Sequence, residues 1–303
     1  MEQLKIFTGR NLRLYLRDQG AVCFSLLSMI IVMVLMALFL GDSQAKAITE
    51  LLGKFPGRNA AEDQTNAHLL VLCWTAAGIL SINAVTVTLA TLSSMVRDKV
   101  TGRMHAIYTA PVSRLTIASG YVLAAWAASV FICVLTLFIT EIYGVARGLE
   151  WFSFTAHLQL FGMIMVNSFA YAALMYTAAV LIRSEGAWSG MGTIVGTLAG
   201  FLGGIYLPVG ELSHGVAAFM KCTPIIYGSA LFRDIMTKDI LDITFSGVPE
   251  DVADTYREIA GIDLYILEKQ VSAATSLAIL LIFGLIFLMI GVAVLRHEKC
   301  SDR

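Results

Sequence analysis

LLVLCWTAAGILSINAVTVTLATLSS, residues 69–94, runs for 26 residues without an Asp, Glu, Lys, Arg or His. At 1.5 Å rise per residue, a helix of that length covers about 39 Å, more than the roughly 30 Å of hydrocarbon in a bilayer. A backbone in lipid has to satisfy its own hydrogen bonds, so the stretch reads as a transmembrane helix. Residues 20–40, 115–139, 158–182, 187–207 and 271–295 repeat the pattern, again with no Asp, Glu, Lys, Arg or His inside. The expected fold is an all-α polytopic membrane protein with six spans. Proton relays, ion pumps and voltage sensors place charged side chains at membrane depth, and these spans offer none. Whatever the protein moves, the energy is expected to come from elsewhere.

Composition agrees. Hydrophobic residues make up 57% and charged residues 14%, with a mean hydropathy of +0.76; soluble domains carry about 25% charged residues. Residues 1–303 are therefore read as a single membrane unit. The first span could pass for a signal peptide, but 21 apolar residues exceed an h-region of about 7–15, so it reads as a retained helix. With the N-terminus placed in the cytoplasm, the inner segments hold 12 of the 21 Lys and Arg residues. The outer segments are about twice as long and hold 9. That density sets both termini inside. The five cysteines, Cys23, Cys73, Cys133, Cys222 and Cys300, are too scattered for a disulfide framework or a metal knuckle.

Residues 1–19 form an amphipathic helix candidate, with Leu4, Phe7, Leu14 and Tyr15 near one face and Arg10, Arg13 and Arg17 on another. It is either an interfacial helix that touches a partner or a basic flank that fixes topology. Residues 208–270 form the long outer region. Its first half, 208–236, is apolar but broken by Pro208, Gly210, Gly215 and Pro224, which suits two short re-entrant helices in the outer leaflet. Its second half, 237–270, carries a local charge of −5 and reads as a solvated cap or a vestibule for cationic or peptidic molecules. Pro249-Glu250-Asp251 looks like a helix start.

The inner connection MVRDKVTGRMHAIYTAPVSR, residues 95–114, is the most informative local feature. Val100, Met104, Ile107 and Tyr108 form one apolar stripe on a short helix. Pro111 should end that helix, and Ser113 can cap the next span. A loop that merely reverses direction needs no such stripe, so the helix is expected to be presented to something in the cytoplasm. His105 lies on its polar side, either touching that partner or simply wet.

At these residues the chain resembles a family. A charged cluster, a Thr-Gly pair, a short helix and Thr109-Ala-Pro-Val-Ser-Arg114 leading into a new span are similar to the coupling region of ABC-2 type exporter permeases. Gly203-Gly-Ile-Tyr-Leu-Pro208, Pro224-Ile-Ile-Tyr227 and Leu231-Phe-Arg233 are similar to the family's fifth span and its paired outer helices. The resemblance implies that two permease subunits, identical or related, work with two copies of a separate ABC ATPase subunit. ATP and Mg would be held by that partner, and this chain would bind no cofactor. Contact with the ATPase is expected from Arg97, Asp98, Val100, Arg103, Met104, His105, Ile107 and Tyr108. Replacing Met104 and Ile107 by Asp is expected to abolish that contact while leaving insertion intact. Gly53-Lys54 lacks the rest of a P-loop, so no nucleotide site is expected here. The resemblance further implies a multi-pass protein of a bacterial plasma membrane, with the bilayer as surroundings and no nucleic-acid partner.

Gly192, Gly196, Gly200 and Gly204 lie four apart, three overlapping GxxxG steps that allow close helix approach within the chain or in a dimer. Asn83 and Asn167, at membrane depth, either glue helices together or line a path. Trp74, Trp126 and Trp188 read as packing or interfacial anchors. A self-contained transporter or channel is the alternative, but it would normally show buried acids or inverted repeats. An intramembrane protease would need a His inside a span, and none is present. The expected cargo is a hydrophobic or amphipathic compound, such as a drug, an antimicrobial peptide or a lipid-like molecule.

Overall fold

The computed structural model describes residues 2–36, 41–266 and 269–297. The end of the first predicted span, residues 37–40, and the predicted cytoplasmic tail, 298–303, lie outside the described residues. Twelve α-helices are found among the described residues: α1 Glu2–Arg17, α2 Gln19–Leu35, α3 Gly41–Leu52, α4 Ala60–Val100, α5 Arg103–Thr109, α6 Arg114–Ala146, α7 Phe154–Leu181, α8 Glu185–Leu202, α9 His214–Lys221, α10 Pro224–Thr244, α11 Glu250–Ile259 and α12 Ala273–His297. A two-residue antiparallel pairing, Tyr265–Ile266 with Lys269–Gln270, precedes α12.

The 69–94 stretch sits inside α4, a helix of 41 residues. Polar signals extend it beyond its apolar core. Asn59 caps its start by accepting from the Ala61 N–H at 3.2 Å, and Glu62 and Asp63 occupy the first turn. Arg97 and Lys99 occupy the last turn, and Gly102 in the left-handed region (φ +73°) turns the chain away. Of α4's most apolar window 83% is buried, against 17% for α12. So α4 is the central post and α12 the peripheral one. Asn83 Nδ2 donates to Thr136 Oγ1 at 2.9 Å, Ser129 bonds Ser168 at 2.8 Å, and Trp126 Nε1 donates to the Met165 carbonyl at 3.0 Å. These polar ties join α4, α6 and α7 in a region where apolar contact alone gives no preference over lipid.

By length and composition α4, α6, α7 and α12 can each cross a membrane, and six crossings are reached if two bent pairs each count as one. Those pairs are α1–α2 and α9–α10. The fifth stretch, 187–207, does not become a helix of that kind. It forms the 18-residue α8, which begins on a polar Glu185-Gly-Ala-Trp-Ser-Gly turn and stops at Leu202. The long outer region also departs from its predicted division. The pair α9–α10 bends by 89°, and α10 runs without a break through position 237 to Thr244. Its first half lies against Ser81 and Asn167, because Gly228 leaves room that a Cβ would fill 2.6 Å from Asn167 Oδ1. Arg58 holds its far end, donating to the Thr244 and Ser246 carbonyls at 2.7 Å while paired with Asp63 at 2.6 Å. Helix α11 does start at Glu250, directly after Pro249.

Candidate functional site

The bundle has two unlike ends: one carries α3 and α11, the other α1 and α5. At the second end, three consecutive residues at the close of α4 each tie down a different element. Arg97 faces Glu185 at the start of α8 at 4.0 Å. Asp98 is buried, accepts Arg10 of α1 through both oxygens at 2.8 and 3.0 Å, and accepts the Tyr121 hydroxyl of α6 at 2.8 Å. Lys99 Nζ donates to the last carbonyls of α7, Ala179 at 3.1 Å and Val180. A cation at a helix C-terminus both fills orphan carbonyls and offsets the dipole. Arg114 does the same for α12 through the Leu295 carbonyl at 2.9 Å.

Helix α1 is therefore seated, and its faces differ from those expected. Arg10 leaves the basic face to reach Asp98, which holds the guanidinium pKa above its ordinary value, chiefly through that hydrogen bond. Asn11 and Tyr15 are buried, and Leu14 is exposed. Phe7 meets the Tyr121 ring edge-on at 5.1 Å and fills the space above Gly120. Arg13 and Arg17 remain exposed.

Helix α5 turns its apolar stripe inward. Met104 is 4% exposed, and Ile107 and Tyr108 pack against the core. Val100 is not on that stripe at all, since it belongs to the last turn of α4 and is exposed. Of the residues expected to meet the ATPase, Arg97, Val100, Arg103 and His105 are left exposed at this end, with Thr101 and Gly102 between them. Asp98 and Met104 are absent from it, the first consumed by Arg10 and the second by the core. The reason is general: seven residues of helix lying on a larger bundle bury their apolar side against it before any partner arrives. Ala110 is extended, Pro111 follows, and Ser113 caps α6 by accepting from the Thr116 N–H at 3.1 Å, as expected.

The second candidate surface lies along α8. A groove of about 720 Å³ runs between α2, α4 and α8, lined by Phe24, Thr86, Leu89, Trp188, Gly192 and Gly196 among others. The four glycines do not form one stripe. Gly192 faces Leu89, Gly196 has open space, Gly200 is covered by the Tyr206 ring, and Gly204 lies beyond the helix with φ +64°. Asn83 reaches neither the groove nor the surface, being buried between α4 and α6, and Asn167 is buried between α7 and α4.

Two buried charged groups were not legible from the sequence. Glu141 of α6 accepts from the Phe152 N–H and bonds His157, both at 2.9 Å. Arg233 of α10 is buried completely. No group of three or more His, Cys, Asp or Glu residues able to hold a metal occurs among the described residues. Residues 49–293 match the family described as ABC-2 family transporter protein. No curated protein matches the chain.

Proposed function

The chain belongs to the ABC-2 family of transporters, and from that premise we propose that it is the permease subunit of an ATP-driven exporter. Family membership makes it a multi-pass membrane component of an ABC transporter, with no nucleotide-binding domain of its own. In our reading the α1–α5 end faces the cytoplasm and receives one ATPase subunit, two permeases pairing with two ATPases. Thr101 to Arg103 and His105 are exposed there, as is Arg97. Arg103 has no acidic partner among the described residues, which suits an acidic groove on the ATPase. The observation that carries this reading is the convergence of α1, α6, α7 and α8 on Arg97, Asp98 and Lys99. The turn Thr101–Gly102 joins α5 to this point, from which hydrogen bonds hold α1, α6 and α7 and a solvated ion pair meets α8.

The groove beside α8 is the surface on which a second permease copy and the cargo would meet. Its walls are apolar, with hydroxyls from Thr86, Ser189 and Thr193. That suits a hydrophobic or amphipathic compound leaving a bacterial plasma membrane. The test is gentle purification from native membranes followed by intact-complex mass spectrometry. Two permeases with two P-loop ATPase subunits support the proposal; a chain that elutes alone under several mild conditions refutes it.

A further inference from the structure

Helix α8 lies along α4, with Met191 and Val195 half-buried against the core between its two ends. Only Trp188, Ala199 and Gly200 are buried along it. Ile194, Leu198 and Phe201 are exposed, and the groove opens beneath its first half. At the α5 end, besides Trp188, its start is held by the Arg97–Glu185 pair, in which both side chains are more than half exposed. Such pairs are screened by water and hold weakly.

The other end is held by a buried cation. The guanidinium of Arg233 has no carboxylate within ion-pair reach among the described residues. Its Nη2 donates to the carbonyls of Gly203 at 2.9 Å and Gly204 at 2.8 Å, where α8 stops. Its Nη1 donates to the carbonyls of Ala260 and Gly261, both at 3.4 Å, where α11 stops. The Trp74 ring of α4 lies 4.3 Å from the guanidinium carbon, and Trp74 Nε1 donates to the same Ala260 carbonyl at 2.7 Å. Two helix C-termini thus aim the negative ends of their dipoles at one cation, which an aromatic face covers. Gly204 and Gly261 both sit in the left-handed region, φ +64° and +65°, and a Cβ on either would lie 3.5 or 3.3 Å from the guanidinium nitrogens. Side-chain-free left-handed turns let both carbonyl ends close on Arg233.

We propose that Arg233 is a positioning residue for transport, fixing the Gly203–Gly204 end of α8 so that the helix swings about that point and the groove opens from the α5 end. The unequal fastening carries this: a fully buried cage of four carbonyls and a ring at one end, and at the other a solvated ion pair with Trp188 and the half-buried Met191 and Val195. The inference rests on α8 being a pathway helix.

The test uses the full chain in membranes with Cys23, Cys222 and Cys300 replaced by Ser and a reporter, L202C, at the half-buried end of α8. Labelling by a membrane-impermeant maleimide is read by peptide mass, with native Cys133, buried in α6, reporting general loosening. R233K keeps a cation and W74F keeps a ring, so both are expected to fold. Each should raise L202C labelling about tenfold by local opening while Cys133 stays unlabelled. Unchanged L202C labelling in both variants overturns the proposal, and so does a matching rise at Cys133. The readout needs neither cargo nor ATPase. A rise confined to L202C in a chain that purifies without an ATPase would therefore sink the exporter reading, and with it the role in transport, while leaving Arg233 as the anchor of the α8 end.

Discussion

Arg10 and Asp98 stand 88 positions apart in the chain and meet in a two-point ion pair at 2.8 and 3.0 Å. The Asp98 side chain is 3% exposed and that of Arg10 34%, so the pair straddles the rim of the core. Removing Arg10 strands a buried carboxylate. R10A is expected to cost on the order of 3 kcal/mol, and R10A combined with D98N distinctly less than the two single changes together. Thermal unfolding of the four proteins in one detergent closes the cycle, and strict additivity would mean the pair does not couple α1 to α4.

The inward stripe of α5 changes which substitutions test ATPase docking. M104D puts a charge into the core and is expected to lower the melting temperature of the permease itself, so lost association there says nothing about docking. R103E with H105E alters only exposed groups. That double variant should melt like the parent and lose the ATPase on co-purification, and retention of the ATPase would remove Arg103 and His105 from the interface.

Gly196 and Gly200 separate pairing between copies from packing within one. A Cβ at Gly196 meets nothing within 4 Å, whereas one at Gly200 falls 2.5 Å from the Tyr206 ring. G200A is expected to destabilise the single chain by about 1–3 kcal/mol through overpacking. G196L should leave that stability unchanged and shift the mass distribution in mild detergent from dimer to monomer. A dimer fraction equal to the parent's would place the second copy elsewhere.

Asn83 is expected to act through α6. N83A removes its bond to Thr136 and should cost about 1 kcal/mol, within the range for polar pairs between membrane helices. Because the side chain lies away from the α8 groove, cargo stimulation of the assembled transporter's ATPase should be unaltered. A changed cargo preference in N83A would put this residue on the pathway.

Much of the architecture was legible because lipid makes the apolar run an almost sufficient signal. Residues 69–94 fall within α4, Ser113 caps α6, and α11 opens after Pro249, each from local chemistry within a turn or two. What stayed hidden depends on distant partners. Arg10 reads as one of three surface arginines until Asp98 and Tyr121 are brought beside it. Arg233, one of two cations in an apolar stretch, gives no sign that two left-handed glycine turns will surround it. The same holds for Met104, whose position on a stripe fixes that it is covered and leaves open by what. Composition likewise placed a boundary at residue 236, where polarity changes and the α10 backbone does not.

The 41-residue length of α4 has a mechanical consequence. At 1.5 Å per residue it is a rod about 60 Å long, and no proline interrupts it. Measured from its centre, where Asn83 and Ser81 are tied to neighbouring helices, its two arms are each about 30 Å long. A tilt of about 5° moves each tip by roughly 2.6 Å in opposite senses, comparable to the helix shifts that switch other proteins. Arg97, Asp98 and Lys99 ride on one tip, and Asp63, bound to Arg58, rides on the other. A rigid tilt of this rod would thus move its two ends in opposite directions by nearly equal amounts.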